Sequence, residues 1–527
     1  MRLIHAVREL NERGGEPIRL IALYTEPDRH ALFVRSADEA YCLGPASFIG
    51  PDGSRLAGYL DYEALERALR ETRAEAAWVG WGFVAEHPRF SELCERLGLV
   101  MVGPDAATMR LLGDKINSKR LAERAGVPVA PWSGPVESLE EAVRESEGIG
   151  YPLMVKASAG GGGRGIRKVL DSRELPAAFE RARSEALQAF GDPTVLLERL
   201  VVPARHVEVQ AISDGAGGAW AVGVRDCSLQ RRNQKVIEES RSTALDERQE
   251  QEIAEAARRL VLEAGYRGAA TVEFLYEPAE RRFSFMEVNA RLQVEHPVTE
   301  VVTGLDLVKL QLHVAAGGRL EGEPPAPSGH AIEARLNAED PALDFAPAPG
   351  RVTLLRLPSG PGVRVDSGLV AGDSIPPEFD SMIAKVIAIG QDREEAIARL
   401  RRALLETTVV VEDGTTNRSF LLELLSHPDL RSGDFDTTWL DRVRAGGDQD
   451  RPHHAAAALL QAAIELNDEA TATDRARFYA FARRGRPQTG AEVGRRVDMR
   501  YRGQSYSFHV HQLGPERYRA TIDGAAV

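Results

Sequence analysis

The sequence predicts a multidomain protein of mixed α/β and α+β class. Its 527 residues exceed the length at which one hydrophobic core stops growing and a chain divides into domains. Up to about residue 113, strand-like runs such as IRLIALY, AAWVGWG and LVMVG alternate with helical patterns such as YEALERALRE, an order typical of an α/β layer. A Gly- and Pro-rich segment over 317–330 and a polar segment over 444–454 indicate connections between later domains.

The remaining elements follow from their own patterns. The chain opens with the helical pattern RLIHAVRELNERGG. Because an α/β layer usually opens with a strand, we expect the first strand of that layer to be missing. The block from about 330 to 443 predicts the strands GHAIEARLN, RVTLLRL and MIAKVIAIG and then the helix REEAIARLRRALLE. The last block predicts the helix AAAALLQAAIEL and the strands QSYSFHVHQ and RYRATID.

Charge and cysteine usage exclude several classes of protein. The chain has 79 acidic and 66 basic residues, a net charge of −13, which favours neither nucleic acid nor a membrane surface as partner. Cys42, Cys94 and Cys227 are far apart and lack metal-site spacing, which indicates a reducing compartment without a disulfide framework. Because the sequence has neither a signal-peptide pattern nor an apolar run of membrane-spanning length, we expect a cytoplasmic protein.

A run of glycines in VKASAGGGGRGIRKV, residues 155–169, lies between two apolar segments. It matches G-x-G-x-x-G, but a dinucleotide site needs a helix directly afterwards, whereas GIRKVL is β-like. No G-K-[ST] closes a Walker A loop, and composition alone also fits a flexible linker. Because the flanking segments resemble buried strands, we favour a hairpin whose glycine tip offers backbone N–H groups to phosphates.

Two lysines support a phosphate site. Lys156 stands in the apolar run PLMVK, where an unpaired ammonium is costly to bury. Lys115 stands at a predicted helix start, where the helix dipole disfavours a cation. Together with the glycine hairpin, these lysines predict a nucleoside triphosphate as ligand.

Opposed carboxylates are predicted within TVEFLYEPAERRFSFMEVNARLQVEHPVTE, residues 271–300. If its two strands pair about residue 280, Glu273 lies opposite Glu287, and like charges at that distance are destabilising. A divalent cation would remove the penalty, and Mg²⁺ accepts few carboxylates together with phosphate oxygens. The alternative is a charged, solvated strand face.

The strand that carries Glu287 is also predicted to carry further polar groups. Asn289, Arg291 and Gln293 follow Glu287 at intervals of two, so on a continuous strand all four would share one face. Such a face would offer an amide ligand and an anion-binding guanidinium beside the metal.

These motifs resemble those of biotin carboxylases. KASAGGGGRG, RHVEVQ, RDCSLQRRNQK, MEVNARLQVEHPVTE and ARLNAEDP occur in the order of that family, and the resemblance extends from residue 1 to about 440. Biotin carboxylases are ATP-grasp enzymes that supply the first half-reaction of biotin-dependent carboxylases. Carbamoyl-phosphate synthetase, an ATP-grasp relative, resembles the chain in EVNAR but lacks the QVEHPVTE continuation.

The resemblance implies four segments. They are a Rossmann-like N-terminal biotin carboxylase domain over 1–113, an ATP-grasp domain over 114–328 with a mobile Gly-rich lid at about 131–203, a biotin carboxylase C-terminal domain over 329–443, and a linker with an incomplete helix and β-barrel-like extension over 444–527.

The resemblance also implies a reaction. ATP, with Mg²⁺ or Mn²⁺, phosphorylates bicarbonate, and the carboxyphosphate releases CO₂ that biotin captures. The ATP-binding residues implied are Lys115, Lys156, Gly160, Gly161, Gly162, Gly163, Arg164, Gly165, Glu198, Leu200, His206, Gln230 and Asn233. The other residues implied are Glu273, Glu287 and Asn289 for the metal, Arg291, Gln293 and Val294 for bicarbonate, Glu295 as general base, Lys235 for the phosphorylated intermediate, and Arg335 for the biotin enolate.

Two of these residues have plainer interpretations. Arg335 could pair with Glu339 or Asp340 in ARLNAEDP. Lys235, in the basic run QRRNQK, could be a solvated strand charge.

The chain departs from the family pattern in three places. The strand and the N-R-G-E-I-A segment that usually precede the first helix are absent, so we expect a misassigned or trimmed start. Asn233 stands where His is common, which is expected to alter nucleotide affinity because Asn cannot carry a proton's charge. Without a Met-Lys-Met attachment motif, the biotinyl lysine is expected on another chain or on a missing C-terminal part.

Residues 455–527 resemble the start of the helix-and-barrel region that follows biotin carboxylase in multidomain acyl-CoA carboxylases. We therefore expect the front of an acetyl-, propionyl- or methylcrotonyl-CoA carboxylase subunit, with a urea carboxylase as another parent. The implied partners are a biotinyl carrier domain, a carboxyltransferase and a second copy of the chain. Two other functions stay open from the residues: another ATP-grasp ligase of carbamoyl-phosphate or carboxylate–amine type, and a catalytically silent ATP-binding or assembly module.

Overall fold

The computed structural model describes residues 1–50, 53–158, 165–445, 455–485, 494–501, 504–522 and 525–526. Contacts divide the chain into two units, one of Met1–Glu339 with Pro347–Arg442 and one of Asp340–Ala346 with Val443–Val527. The helices are α1 (Arg2–Glu12), α2 (Leu32–Ser36), α3 (Tyr62–Glu71), α4 (Pro88–Leu97), α5 (Ala106–Gly113), α6 (Lys115–Arg124), α7 (Leu139–Ile149), α8 (Leu175–Phe190), α9 (Glu247–Glu263), α10 (His296–Thr303), α11 (Leu307–Ala315), α12 (Arg393–Glu406), α13 (Arg418–Leu424), α14 (Pro428–Ser432), α15 (Trp439–Ala445) and α16 (Ala455–Ala482).

The strands are distributed over both units. They are β1 (Ile21–Thr25), β2 (Glu39–Gly44), β3 (Ser47–Ile49), β4 (Arg55–Ala57), β5 (Ala76–Ala77), β6 (Val100–Met101), β7 (Trp132–Val136), β8 (Leu153–Ala157), β9 (Ile166–Val169), β10 (Val195–Arg199), β11 (Arg205–Asp214), β12 (Ala219–Arg231), β13 (Gln234–Ser240), β14 (Arg267–Glu277), β15 (Arg282–Asn289), β16 (His330–Asn337), β17 (Glu339–Asp340), β18 (Ala346–Pro347), β19 (Gly350–Arg356), β20 (Val363–Ser367), β21 (Ser374–Ile375), β22 (Met382–Gly390), β23 (Thr408–Val411), β24 (Arg495–Tyr501), β25 (Gln504–Gly514), β26 (Arg517–Ile522) and β27 (Ala525–Ala526).

An eight-stranded antiparallel sheet forms the centre of the first unit. Its strand order is β15-β14-β11-β12-β13-β16-β22-β20. Val207 and Val209 of β11 pack in one core with Ile253 and Leu260 of α9. Because successive residues of a strand point to opposite faces, Glu208 and its even-numbered neighbours point to the other face, which carries the candidate site.

A second sheet, of order β7-β10-β8-β9, contains the predicted glycine hairpin. β8 and β9 pair antiparallel, with Leu153 opposite Val169 and Lys156 opposite Ile166. The prediction of two strands around the glycine run is therefore confirmed, and the linker interpretation is wrong. Leu153, Val155 and Val169 are buried in a core beneath this sheet, which explains why the flanking segments are apolar.

The predicted N-terminal alternation of helices and strands is present, but its sheets are short. β1 pairs parallel with β2, and β5 pairs parallel with β6. The strand predicted over 76–82 is wrong in extent: only Ala76–Ala77 is extended. The chain turns at Gly80, whose φ is 57°, a value that favours glycine.

The second unit contains α16 and the antiparallel sheet β24-β25-β26-β27. Ala463 of α16 packs against Val497, Phe508 and Val510 of the sheet. The predicted helix and both predicted strands are confirmed, although α16 extends over 28 residues and exceeds the predicted pattern. Most of the predicted linker, 446–454, lies outside the described residues. Within the described ranges, no helix, α16 included, combines the length and apolar character needed to cross a membrane.

Candidate active site

Three glutamates form a row across neighbouring strands of the eight-stranded sheet. Glu208 of β11 lies directly opposite Glu273 of β14, and Glu273 lies directly opposite Glu287 of β15. The predicted register of Glu273 and Glu287 is therefore confirmed. A shift in register between Glu273 and Phe274, a β-bulge, produces it: Phe274 faces Phe285, so Met286 is the extra residue of β15.

Lys235 compensates most of this negative charge. Its Nζ lies 2.6 Å from Glu208 Oε2, 3.0 Å from Glu273 Oε1 and 2.6 Å from Glu295 Oε1. The side chain is 12% exposed, so the interpretation of Lys235 as a solvated strand charge is wrong. Burial alone would lower the pKa of Lys235, but the three carboxylates outweigh it and raise that pKa well above its ordinary value.

Glu295 connects Lys235 to Arg335. The other carboxylate oxygen of Glu295 lies 3.0 Å from an Arg335 nitrogen, and Arg335 also contacts Glu238 Oε1 at 2.5 Å. Arg335 therefore pairs with Glu238 and Glu295, and its pairing with Glu339 or Asp340 is wrong. The reason is geometric: alternation along β16 directs Arg335 to the site face, where Glu238 of the neighbouring strand lies.

Glu287 and Glu273 differ in how their charges are compensated. Burial and the charge of Glu273 raise the pKa of Glu287, whereas Lys235 and His206 outweigh burial and hold the pKa of Glu273 well below its ordinary value. A divalent cation between the two carboxylates would relieve their repulsion, and carboxylate oxygens suit Mg²⁺ and Mn²⁺. The atoms of His206, Glu208 and Glu273 also converge to within 4.8 Å, but the ammonium of Lys235 already contacts two of these residues.

Asn289 and Gln293 orient the Glu273 carboxylate. Asn289 Nδ2 donates to Glu273 Oε1 at 2.8 Å and Gln293 Nε2 donates to the same oxygen at 3.0 Å. These two hydrogen bonds fix the orientation of the Glu273 carboxylate. Hydrogen bonds of this kind commonly orient the side chains that bind metals in proteins. The amide oxygen of Asn289 accepts from Arg291 at 3.3 Å.

The continuous strand predicted from Glu287 to Gln293 is wrong. β15 ends at Asn289 and α10 begins at His296, because Leu292 leaves the sheet and is fully buried in a core with residues of α11. Arg291 nevertheless stays within 3.3 Å of Asn289, and it also donates to Glu86 at 3.0 Å. The carbonyl of Val294 accepts a hydrogen bond from Lys385.

A second charged cluster lies around Glu198 of β10. Lys119 donates to Glu198 Oε1, and Lys156 forms an ion pair with Glu198 Oε2. Burial would raise the pKa of Glu198, but the two ammonium groups outweigh it and hold that pKa at about 2. Lys115 is the first residue of α6, whose N-cap Asp114 accepts from Asn117 N at 2.7 Å, and burial lowers the pKa of Lys115.

The other predicted nucleotide-binding residues differ in position. His206 is buried beside Glu273, with 3.2 Å between Nε2 and Oε2. Gln230 is buried opposite Lys235. Leu200 follows β10 and donates its N–H to Pro152 O at 3.0 Å.

Asn233 lies exposed in the turn between β12 and β13. Its φ is 65° and that of Arg232 is 48°, so both central residues of the turn are left-handed, as in a type I′ hairpin. Asn adopts this conformation more readily than most residues, which gives a backbone reason for Asn at this position.

Gly165 follows the part of the glycine run that lies outside the described residues, namely Gly160, Gly161, Gly162, Gly163 and Arg164. Its φ is 68°, and a Cβ there would approach Ala157 Cβ to 2.8 Å. Glycine is therefore required where the hairpin returns into β9.

Three residues of the site were not predicted. Glu208 follows His206 at an interval of two on β11, and Lys119 follows Lys115 by one helical turn, so strand and helix periodicity could have found both. Glu238 offered no such signal, because its partner Arg335 is 97 residues away.

Family models match three consecutive segments of the chain. Residues 1–109 match the biotin carboxylase N-terminal domain, residues 114–323 the carbamoyl-phosphate synthase L chain ATP binding domain, and residues 333–442 the biotin carboxylase C-terminal domain. The two segments that match biotin carboxylase domains therefore lie directly before and directly after the segment that matches the ATP binding domain.

Similar proteins support the same assignment. Biotin carboxylase 1 of Bacillus subtilis is 45% identical over 444 residues, which is 84% of this chain and 95% of that protein. The biotin carboxylase of Pseudomonas aeruginosa is 44% identical over 446 residues, which is 84% of this chain and 95% of that protein.

A solved structure extends the likeness to the fold. The biotin carboxylase domain dimer of Hydrogenobacter thermophilus 2-oxoglutarate carboxylase, in complex with MgADP, ADP and bicarbonate, has a TM-score of 0.77 and 39% identity, over 84% of this chain and 94% of that one. The chain belongs to the biotin carboxylase family of ATP-dependent ligases.

Proposed function

We propose that the site carboxylates biotin with bicarbonate and ATP, and that Glu295 is its central catalytic residue. The observation that carries this proposal is the double engagement of Glu295, 2.6 Å from Lys235 and 3.0 Å from Arg335. The Glu295 carboxylate thus links Lys235, which also contacts Glu273, to Arg335, the cation proposed to contact biotin. This arrangement suits a reaction in which a proton and a carboxyl group pass between two substrates.

Nucleotide binding is proposed for the lysines Lys115 and Lys156 together with the glutamates Glu273 and Glu287, because the charges of both lysines act on the Glu287 carboxylate. Lys115, Lys156 and His206 would contact ATP phosphates. Glu273 and Glu287 would hold Mg²⁺ or Mn²⁺, with Asn289 orienting Glu273. The bound ion would neutralise charge on the transferred phosphoryl group. The MgADP bound by the Hydrogenobacter domain supports this part of the proposal.

Bicarbonate is proposed to bind at Arg291 and the backbone near Gln293 and Val294. Burial opposes ionisation of Glu295, but Lys235, Arg335 and Arg225 outweigh it and hold the pKa of Glu295 well below its ordinary value. Glu295 is therefore ionised at neutral pH, with both oxygens engaged. An anionic substrate that attracts Lys235 would free one oxygen and restore the basicity that deprotonation of bicarbonate needs.

Arg335 is proposed to stabilise the negative charge that develops on the ureido group of biotin. Its guanidinium is already held by Glu238 and Glu295, so it needs little reorganisation when charge develops.

A second part of the proposal concerns the enzyme complex to which the chain belongs and its partners. We propose an acyl-CoA carboxylase subunit that meets a biotinyl carrier domain and a carboxyltransferase and that dimerises. The dimeric Hydrogenobacter domain supports self-association, and the helix α16 with its four-stranded sheet supports an additional assembly element beyond residue 442. The three free thiols accord with a cytoplasmic, reducing compartment.

The test is ATP hydrolysis with Mg²⁺, first without bicarbonate, then with bicarbonate, then with bicarbonate and free biotin. We expect bicarbonate-dependent hydrolysis that rises with biotin and that falls by roughly 10²- to 10⁴-fold in Glu295→Gln. Glu394→Gln, at an exposed carboxylate 57% accessible, is the matched control and should keep full activity. A rate of ATP hydrolysis that is the same with and without bicarbonate and biotin would refute the proposal.

A further inference from the structure

Lys119 is a buried lysine for which the proposed reaction has no use. Its side chain is 3% exposed, and its pKa is lowered by burial, with Glu198 opposing that effect. It lies one helical turn after Lys115 on α6, so both ammonium groups project from the same face of the helix. A lysine is rarely buried unless it is paired, and the partner here is Glu198.

The Glu198 carboxylate is shared between two lysines in unequal ways. Lys119 donates a hydrogen bond to Oε1. Lys156 forms an ion pair with Oε2. Because Lys119 is the more enclosed of the two lysines, Lys156 is the partner that can leave Glu198 more easily.

The strand geometry explains why Lys156 is the one offered to a ligand. Lys156 of β8 lies opposite Leu196, and Glu198 lies opposite Met154, so Lys156 and Glu198 are diagonal neighbours on one face. Lys156 is also the more exposed lysine, at 12% against 3% for Lys119. Its ammonium can turn away from Glu198, whereas Lys119 is enclosed.

Freeing Lys156 has a cost that depends on Lys119. When Lys156 turns to a phosphate, Glu198, which is 4% exposed, loses one of its two cations. Removing the last partner from a buried charge is strongly destabilising, so a carboxylate without Lys119 would retain Lys156 and compete with the phosphate. With Lys119 in place, Glu198 stays ionised and hydrogen-bonded throughout.

We propose that Lys119 is a positioning residue that releases Lys156 to nucleotide phosphate by keeping Glu198 paired. The inference rests on the proposed function, because it takes the phosphate to be that of ATP. Lys119 touches neither the nucleotide nor the reacting atoms in this scheme. It sets how tightly ATP binds and leaves the rate of the chemical step to Glu295 and Lys235.

The test measures ATP binding by calorimetry in Mg²⁺ buffer free of bicarbonate, with KM for ATP and kcat measured separately. Lys119→Met should weaken ATP binding by about tenfold or more and raise KM, with kcat within about threefold of wild type. Adding Glu198→Gln should restore most of the affinity, because Lys156 then has no carboxylate to hold it. Lys119→Arg, which keeps the charge, should lose less than Lys119→Met.

Controls separate this inference from simple loss of structure. Lys309→Met removes a half-buried lysine that pairs with Glu9 and Asp306, outside the proposed site, and should leave affinity unchanged. Melting temperatures confirm folding, and the double variant should be at least as stable as Lys119→Met. Unchanged ATP affinity in Lys119→Met, or a double variant that binds no better than Lys119→Met, would overturn the inference. Wild-type protein that fails to bind ATP would instead overturn the proposed function.

Discussion

Glu208 lies directly opposite Glu273 across the β11–β14 pair, and both carboxylates contact the same ammonium of Lys235, at 2.6 and 3.0 Å. Opposed like charges destabilise a sheet, so this pair persists because Lys235 lies between them. Glu295 adds a third carboxylate at 2.6 Å from the same nitrogen. Removal of Lys235 therefore affects stability as well as catalysis.

Lys235→Met is predicted to lower the free energy of unfolding by about 3 kcal/mol or more, the usual cost of breaking a buried ion pair from one side. Adding Glu208→Gln should recover part of that loss, because one uncompensated carboxylate is then neutral. The measurement is urea denaturation followed by circular dichroism. Lys168→Met, at an exposed position of β9, should change the value by less than about 0.5 kcal/mol. Equal losses in both lysine variants would contradict this account.

Glu287→Gln is predicted to stabilise the metal-free protein and to abolish its stabilisation by Mg²⁺ with ATP. The opposed charge of Glu273 is removed, which is worth up to about 1 kcal/mol for a cross-strand pair. Thermal melts in EDTA and in Mg²⁺ with ATP provide the comparison, with Glu280→Gln in the exposed turn after β14 as control. A variant that still gains wild-type stability from Mg²⁺ with ATP would exclude Glu287 as a ligand.

Ionised Glu239 is predicted to make the free energy of unfolding fall with pH once the pH drops below 4.5, the ordinary pKa of its carboxyl group. Burial opposes its ionisation, but His330 and Arg393 outweigh burial and lower the pKa of Glu239 from 4.5 to about 2. The contribution to stability is therefore complete above pH 4.5 and is lost as the pH falls toward 2. A shift of this size corresponds to about 3 kcal/mol.

The comparison that tests this is Glu239→Gln against wild type, by urea unfolding from pH 7 to pH 3.5. The stability difference should be largest at pH 7 and should shrink below pH 4.5. A difference that stays constant across this range would mean that the charge of Glu239 is not what stabilises the contact with Arg393, 2.7 Å away.

Asn233→Gly is predicted to preserve the β12–β13 turn, because glycine accepts the left-handed backbone without strain. The melting temperature should stay within a few degrees of wild type. If the Asn233 amide contacts the nucleotide, KM for ATP rises in this variant while kcat is retained. Asn233→Val should instead destabilise the hairpin, because a β-branched residue is disfavoured at a φ of 65°. Unchanged KM for ATP in Asn233→Gly would remove Asn233 from the predicted nucleotide site.

Periodicity made much of the sheet predictable from the sequence. The apolar character of the flanking segments located the strands of the glycine hairpin, and counting from residue 280 placed Glu273 opposite Glu287, as observed. These predictions succeeded because they depend on neighbours close along the chain. The predicted domain limits stay predictions.

Contacts between distant segments could not be predicted in this way. Lys235 meets carboxylates from three other segments, and Arg335 meets Glu238 from a strand 97 residues earlier. Gln293 reached the site by a loop and not by the strand that alternation indicated, because burial of Leu292 overrode the local pattern. The family resemblance named Lys235, Arg335 and Gln293 but not Glu238, and only the sheet order explains how Arg335 and Glu238 meet.

The bulge at Met286 has a consequence for variants that change the length of β15. Between the turn and the bulge, Glu277 lies opposite Arg282 and Phe274 lies opposite Phe285. If this register continued without the bulge, Glu273 would lie opposite Met286. The bulge accommodates Met286 as an extra residue, so Glu287 lies opposite Glu273 while Phe285 stays in the core. Deletion of Met286 would therefore give a regular hairpin that still places Glu287 opposite Glu273, because Glu287 would then directly follow Phe285.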